Sequence, residues 1–531
     1  MRRLIIGLIL SVIGFGCQSS SSQSATKHSV RSAKVNIGAE PQTLDPRKAR
    51  DLNAQAIVRM LFEGLVRIDQ NEKPELAAAE SVEISEDLKT YTFHLRASKW
   101  TNGDPLKASD FVYSWKRVLS PDFLTDTAFH LYVIKNAKAA KEGKTSLDEV
   151  GVRAIDEQTL VVELENPTPY FLNLVTVPAF FPVNQSVDEA NLTWSQNVAT
   201  YVSNGPFQLV DWKHQDYLHL DKNERYWDQA SVKLASLELL MVHSETEFNL
   251  FQMGQLDWAG SPLSTVPVDA IKSLKSQNLL KAKESLGTYF IRLNTKKHPF
   301  QHSSMRKAFA FAINRQEIVE HVTQGGQRPA TGLVPTSLQL QTAPYFQDAD
   351  ILAAKNSYAE GLAAQNLKND ELFELTLLCP ANERSHLVGQ ALQQQWFDAF
   401  GIRVKLESVE IKVYLDRVAK QDFQMAIGAW NADFADPINF LEVFKYKNSG
   451  SNNTHWENSR FAELLDQSYL TTDRSQRLDI LRQSEQILMD EMPIIPVFYY
   501  SMLYVHKPAL QDVVVTSMGQ IDFKWASLNE R

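Results

Sequence analysis

Apolar runs at two different periods alternate along most of this chain, which predicts an α/β protein built of short strands and short helices. Tyr91-Thr-Phe-His-Leu-Arg96 places Tyr91, Phe93 and Leu95 on one face at period two, a half-buried strand, and Asn102-Gly103 marks the turn after it. From Ser109 as cap to Leu119, the residues Phe111, Val112, Trp115 and Leu119 share one helical face. Residues 304–313 and 462–470 repeat that helical pattern. Leu237–Val242, Tyr289–Leu293, Leu375–Leu378 and Val404–Val409 read as strands, and the apolar run Phe423–Ala429 reads as a buried one.

That last strand leads into Trp430-Asn-Ala-Asp-Phe-Ala-Asp-Pro437. Asp433 stands between Trp430 and Phe434 at the strand end, where a charge is costly unless a cation comes to meet it. Asp436 has a simpler reading: followed by Pro437 and Ile-Asn-Phe-Leu, it suits the cap of a helix with proline at the first position. Asp433 is therefore the candidate ligand anchor, with a solvated loop acid as the alternative.

The N-terminus reads as an export signal. Arg2 and Arg3 precede an apolar stretch from Leu4 to Phe15, too short for the roughly 20 residues a membrane span needs and suited to an export signal. Gly14-Phe-Gly-Cys17, followed by Gln18 and serines, resembles a bacterial lipobox, although Gly14 and Phe15 depart from its usual leucine and small residue. Acylated Cys17 would anchor the chain stably; the alternative is an ordinary signal peptide with an incidental cysteine. Residues 17–34 then form a Ser-rich tether, and folded sequence starts at Val35. The only other cysteine, Cys379, reads as a small buried hydrophobe.

With 531 residues and ordinary globular composition, two or three lobes are expected rather than one core. No low-complexity linker follows the tether, so strands or short loops must join them. Losing Arg2 and Arg3 with residues 1–16 takes the net charge from −9 to −11. With no dense basic stretch, nucleic acid is excluded as a partner. Twelve scattered histidines without Cys/His spacing argue against a metal. No phosphate loop, nucleophile elbow or His-Glu-x-x-His occurs, so neither an enzyme nor a cofactor is expected. A glycosidase pair of Asp433 and Asp436 is disfavoured by the capping role of Asp436.

Several stretches together resemble one family, the extracytoplasmic oligopeptide- and dipeptide-binding proteins of peptide ABC importers. They are Pro41–Pro46 with Leu61–Val66, Ala79–Asp87, Tyr91–Arg96, Trp100–Gly103, Asp110–Arg117, Asn204–Phe207 with Trp212, Arg225–Asp228, Met305–Phe309 with Ile313-Asn-Arg315, Trp430–Pro437, Asn452–Trp456 and Pro493–Tyr500. They run in order from about residue 35 to 510. The resemblance implies an α/β, two-lobed periplasmic-binding-protein fold of the Venus-flytrap kind, with an extra subdomain inserted in the first lobe. The expected bounds are 35–62, 185–287 and 501–531 for the first lobe, 63–184 for the insert and 288–500 for the second lobe.

The same resemblance implies that Asp433 receives the α-ammonium of a bound peptide. Ala429, Trp430 and Asn431, with Arg50 and Leu52, would run beside the ligand backbone, and Tyr289 and Tyr499 would line the site. Main-chain pairing of this kind binds peptides without reading side chains. Where relatives carry basic residues for the ligand's C-terminus, this chain has Ile427 and Thr323, and Ile411 replaces a pocket tryptophan. His321, Arg328, Lys412 and Arg50 are substitutes by proximity alone. The expected protein is an exported monomer without cofactor, held to the membrane by lipid in the periplasm or at the cell surface, handing peptides to ABC permease subunits with a cytoplasmic ATPase. The alternatives are a non-peptide solute, or a sensing or adhesive surface lipoprotein without a permease.

Overall fold

The computed structural model describes residues 32–529 apart from Thr342, residues 369–374 and residues 448–449. The signal, Cys17 and the tether to residue 31 lie outside the described residues. The first strand already begins at Ser32, so folded sequence starts three residues earlier than Val35.

Among the described residues, eleven strands form the main sheet. In chain order they are β1 (Ser32–Asn36), β2 (Phe207–Lys213), β3 (Tyr217–Lys222), β4 (Ser236–Leu240) and β5 (Trp258–Gly260). There follow β6 (Lys281–Leu293), β7 (Arg328–Pro329), β8 (Leu375–Pro380), β9 (Val404–Val409), β10 (Met425–Asn431) and β11 (Ile494–His506). Their order across the sheet is β9-β8-β10-β6-β11-β5-β1-β4-β3-β2, with β7 paired to β11.

The two 13-residue strands β6 and β11 are the spine. One end of this antiparallel pair meets β5 and the strands beyond it, through Gly260↔Tyr504. The other end meets β10, through Leu293↔Met425. The ladder between β6 and β11 is broken between Glu284↔Ser501 and Thr288↔Tyr499, and slips again after Tyr289. So one sheet spans two groups of strands, joined where its own pairing is interrupted. No spacer is needed.

Local sequence accounts for the strands. In β10, Met425 to Gly428 are all buried, as expected of a strand covered on both faces. A separate four-stranded antiparallel sheet within residues 79–163 carries Thr90–Leu95, whose Tyr91, Phe93 and Leu95 point inward as the alternation predicts. Over the same core lies α1 (Leu52–Leu61), and α2 (Ala108–Leu119) buries Phe111, Trp115 and Leu119. Helix α2 begins one residue before Ser109. Lys107 takes the cap place, and the Asp110 carboxylate accepts from its backbone N–H at 2.9 Å. Around β8 and β10 a second core gathers Phe309, Phe400 and Trp396, the last from α3 (Glu383–Phe400), with Cys379 fully buried among them. Among the described residues no helix is long and apolar enough to cross a membrane.

Candidate functional site

Strand β10 pairs along its whole length with β6, from Met425↔Leu293 to Asn431↔Gly287. On its other side β8 reaches only Met425 and Ala426. Among the described residues, the outer edge from Gly428 to Asn431 has no strand partner, so its main-chain groups are open to an added strand. Glycine at 428 has a packing reason: a Cβ there would collide with the Arg292 guanidinium and the Phe290 ring.

Beyond the strand, Asn439 holds the chain in place. Its side-chain oxygen accepts from the Trp430 indole at 3.0 Å and from the Asp433 N–H at 3.1 Å. Phe434 stacks on Tyr170 with ring centroids 4.6 Å apart. Asp436 is buried and grips Arg477 through two bonds of 2.7 and 2.8 Å. It also accepts from Ile438 N–H at 3.0 Å, yet the helix Ile438–Leu441 starts one residue later than expected, with Pro437 in the cap place. Its main partner is thus an arginine rather than a helix end.

Between these fixed points lies Asp433. Its carboxylate reaches solvent, yet burial by the surrounding protein raises its pKa above the ordinary value, with a lesser opposing pull from Asn439. Among the described residues, no cation stands within ion-pair distance of it. Asp433 lines a cavity of about 310 Å³ together with Arg50, Leu52, Phe129, His130 and Met518. Arg50 is exposed and paired to Asp126 at 2.9 Å, and Leu52, the first residue of α1, is 54% exposed. Burial lowers His130 to about 4, so it is neutral at physiological pH.

The free edge of β10 faces a second cavity of about 760 Å³, lined by Tyr289, Ala429 and Trp430 and by Arg292, Arg384 and Tyr500. Tyr289 is 3% exposed and stacks on Phe498. Exposed Asn431 closes the strand between the two cavities. Thus Asp433, Arg50 and Leu52 meet at one cavity and Tyr289, Ala429 and Trp430 at the other.

Tyr499 lines neither. It is 1% exposed, and its hydroxyl donates to the Gly332 carbonyl at 3.1 Å, a packing role. Of the proposed substitute cations, Arg328 pairs with Glu284 at 3.2 Å, and neither it, His321 nor Lys412 lines these cavities. Sequence reasoning passed over Arg292 and Arg384. The signal for Arg292 was a cation inside the apolar run Tyr289–Leu293; Arg384 carries none.

The family model of bacterial extracellular solute-binding proteins, family 5 (middle), matches residues 73–452. The chain is 39% identical over 529 residues to the oligopeptide-binding protein OppA of Bacillus subtilis, covering 98% of this chain and 97% of that protein. Among solved structures it is similar to the unliganded open form of the murein tripeptide-binding protein MppA. There the TM-score is 0.87 with 27% identity, covering 94% of this chain and 98% of that one. For Haemophilus influenzae OppA in complex with the peptide RPPGFSPFR the TM-score is 0.69 with 29% identity, covering 94% and 99%.

Proposed function

The chain belongs to the bacterial extracellular solute-binding proteins of family 5, which bind their solutes rather than transform them, and from that premise we propose that it captures oligopeptides between two lobes and hands them to an ABC permease. The relatives named for oligopeptide binding support the ligand class. One observation carries the binding mode. Asp433 is an exposed but partly desolvated carboxylate with no cation in ion-pair distance among the described residues, placed at the end of a strand edge that has no strand partner among them. A peptide laid along Gly428–Asn431 would add a strand there, and its α-ammonium would complete Asp433. At about 4 Å and an effective dielectric of 20, that pair is worth roughly 4 kcal/mol.

The similarity to an open unliganded form, greater than to a peptide complex, supports a reading of this conformation as the empty, open receptor. We place the lobe boundaries at 287/288 and 500/501, because both fall in the broken register between β6 and β11. The inserted subdomain at 63–184 holds the separate four-stranded sheet. Export and acylation at Cys17 complete the proposal, the lipid holding the receptor beside its permease.

Calorimetry with short peptides tests the anchor: Asp433→Asn should weaken binding at least tenfold while the fold survives. Unchanged affinity would remove Asp433 from this role. Native mass spectrometry of the purified protein should find a ladder of bound peptide masses, and a single non-peptide mass would overturn the ligand class.

A further inference from the structure

Residues 325–337 are bonded to both sides of the interruption between β6 and β11. Toward β10 the segment is built into the fold. There β7 pairs with Tyr499 and Phe498, and Ala330 N–H donates to the Val497 carbonyl at 3.1 Å. The buried Thr288 hydroxyl donates to the Leu333 carbonyl at 2.6 Å, and Tyr499 holds the Gly332 carbonyl. Glu485, fully buried on the helix Arg474–Glu491, accepts from Leu333 and Val334 N–H. Thr288 and Tyr499 are the first pair after the gap.

Toward β5 the grip is slighter and closer to water. Glu284 and Ser501, the last pair before the gap, make most of it. The Glu284 carboxylate accepts from the Thr336 hydroxyl and from Ser337 N–H, both at 2.8 Å, and from the Arg328 guanidinium at 3.2 Å. The Ser501 hydroxyl donates to the Gly325 carbonyl. Exposed Lys275 donates to the Gln324 carbonyl at 2.9 Å. Arg328 and Ser337 are exposed, whereas Gly332 to Pro335 are buried.

We infer that residues 325–337 form a brace across the hinge, and that its contacts with Glu284 latch the lobes apart. This rests on the two-lobed, peptide-binding reading and adds to it what opposes closure. A segment fixed on both sides of a pivot cannot keep both sets of bonds when the pivot turns. Hydrogen bonds weaken steeply beyond about 3.2 Å, so a shift of about 1 Å ends them. Breaking the buried set would leave unsatisfied polar groups in the core, which is costly. Exposed Ser337 and half-buried Thr336 can turn to water instead, so the brace gives at Glu284. Those bonds then belong to the open form alone, and a peptide closes the lobes against them. One such bond is enough to shift the equilibrium roughly three- to tenfold.

The test uses the full protein and a peptide eluted from purified wild type and resynthesised. Saturating peptide should contract wild type in small-angle scattering; no contraction overturns the hinge and the brace together. Calorimetry should then show Thr336→Val, which removes only the latching hydroxyl, binding the peptide at least threefold more tightly, although the unliganded variant melts lower. Thr336→Ser, which restores the hydroxyl, should match wild type in both. A side chain that merely packs would lower the melting temperature and leave affinity as it was. That result, or weaker binding, overturns the brace and leaves the hinge and the peptide reading standing. Arg328→Gln, at an exposed side chain, should also tighten binding and decides the matter if Thr336→Val fails to fold.

Discussion

Asp433 and Asp436 stand three residues apart and should respond oppositely to the same substitution. Asp436→Asn strands Arg477 as a buried cation, and breaking a buried pair from one side costs about 3–5 kcal/mol. Thermal denaturation should show a large loss for that variant. In Asp433→Asn the unliganded protein should melt no lower than wild type, since a carboxyl whose pKa is raised by burial stabilises the fold only below its ordinary range and loses that contribution as pH rises. At neutral pH the ionised group is therefore a mild strain, which the proposed pairing with a ligand's ammonium would relieve. By the same sign, peptide affinity should fall as pH drops through the raised pKa of Asp433, and calorimetry at several pH values checks this. The sequence pointed to Asp433 because local rules left it unexplained. It misassigned the chief partner of Asp436 because Arg477, 41 residues away, is brought in only by tertiary packing. Tyr499 failed for a similar reason, since nothing local tells a buried hydroxyl from one lining a cleft.

At the scale of elements, apolar periodicity placed the strands and helices well and their ends less well. Ser109 lost the cap to Lys107, and β1 claimed Ser32, because neighbours complete an end as much as its own residues do. The loop after β7 shows how one distant residue can fix a segment. Glu485, on the helix Arg474–Glu491, accepts from Leu333 and Val334 N–H at 2.7 and 2.8 Å and from the Tyr345 hydroxyl at 2.8 Å. Burial pushes its pKa to about 7, with those bonds opposing. Raised in this way, it favours the fold below the ordinary glutamate range, and that contribution fades as pH climbs toward and through about 7. The slope is at most about 1.4 kcal/mol per pH unit. Urea denaturation between pH 5 and 8 should show this decline in wild type. Glu485→Gln, which keeps an acceptor for the two amides without the charge, should flatten it; an unchanged slope would place the titration elsewhere.

For the molecule as a whole, the point at issue is whether β6 and β11 act as a hinge. Composition gave no sign of one, since no low-complexity linker follows the tether; family resemblance put two expected boundaries, 287/288 and 500/501, and the proposed hinge takes those two because the ladder there is interrupted, which only coordinates reveal. Strand pairs resist bending where their register is continuous, and a gap between Glu284↔Ser501 and Thr288↔Tyr499 gives rotation a place to concentrate. A peptide shifts such an equilibrium only by binding the closed form more tightly than the open one. On the proposed anchoring, the partly desolvated Asp433 carboxylate would supply that difference, because its attraction for an ammonium would strengthen as closure excludes water. Small-angle scattering should therefore record a smaller radius of gyration when a tightly bound peptide is added to wild type. Asp433→Asn at the same peptide concentration should stay expanded, and recover contraction only where excess peptide restores occupancy. Should saturating peptide, verified by calorimetry, leave the wild-type radius unchanged, then capture occurs on an open surface and the broken register has no part in it.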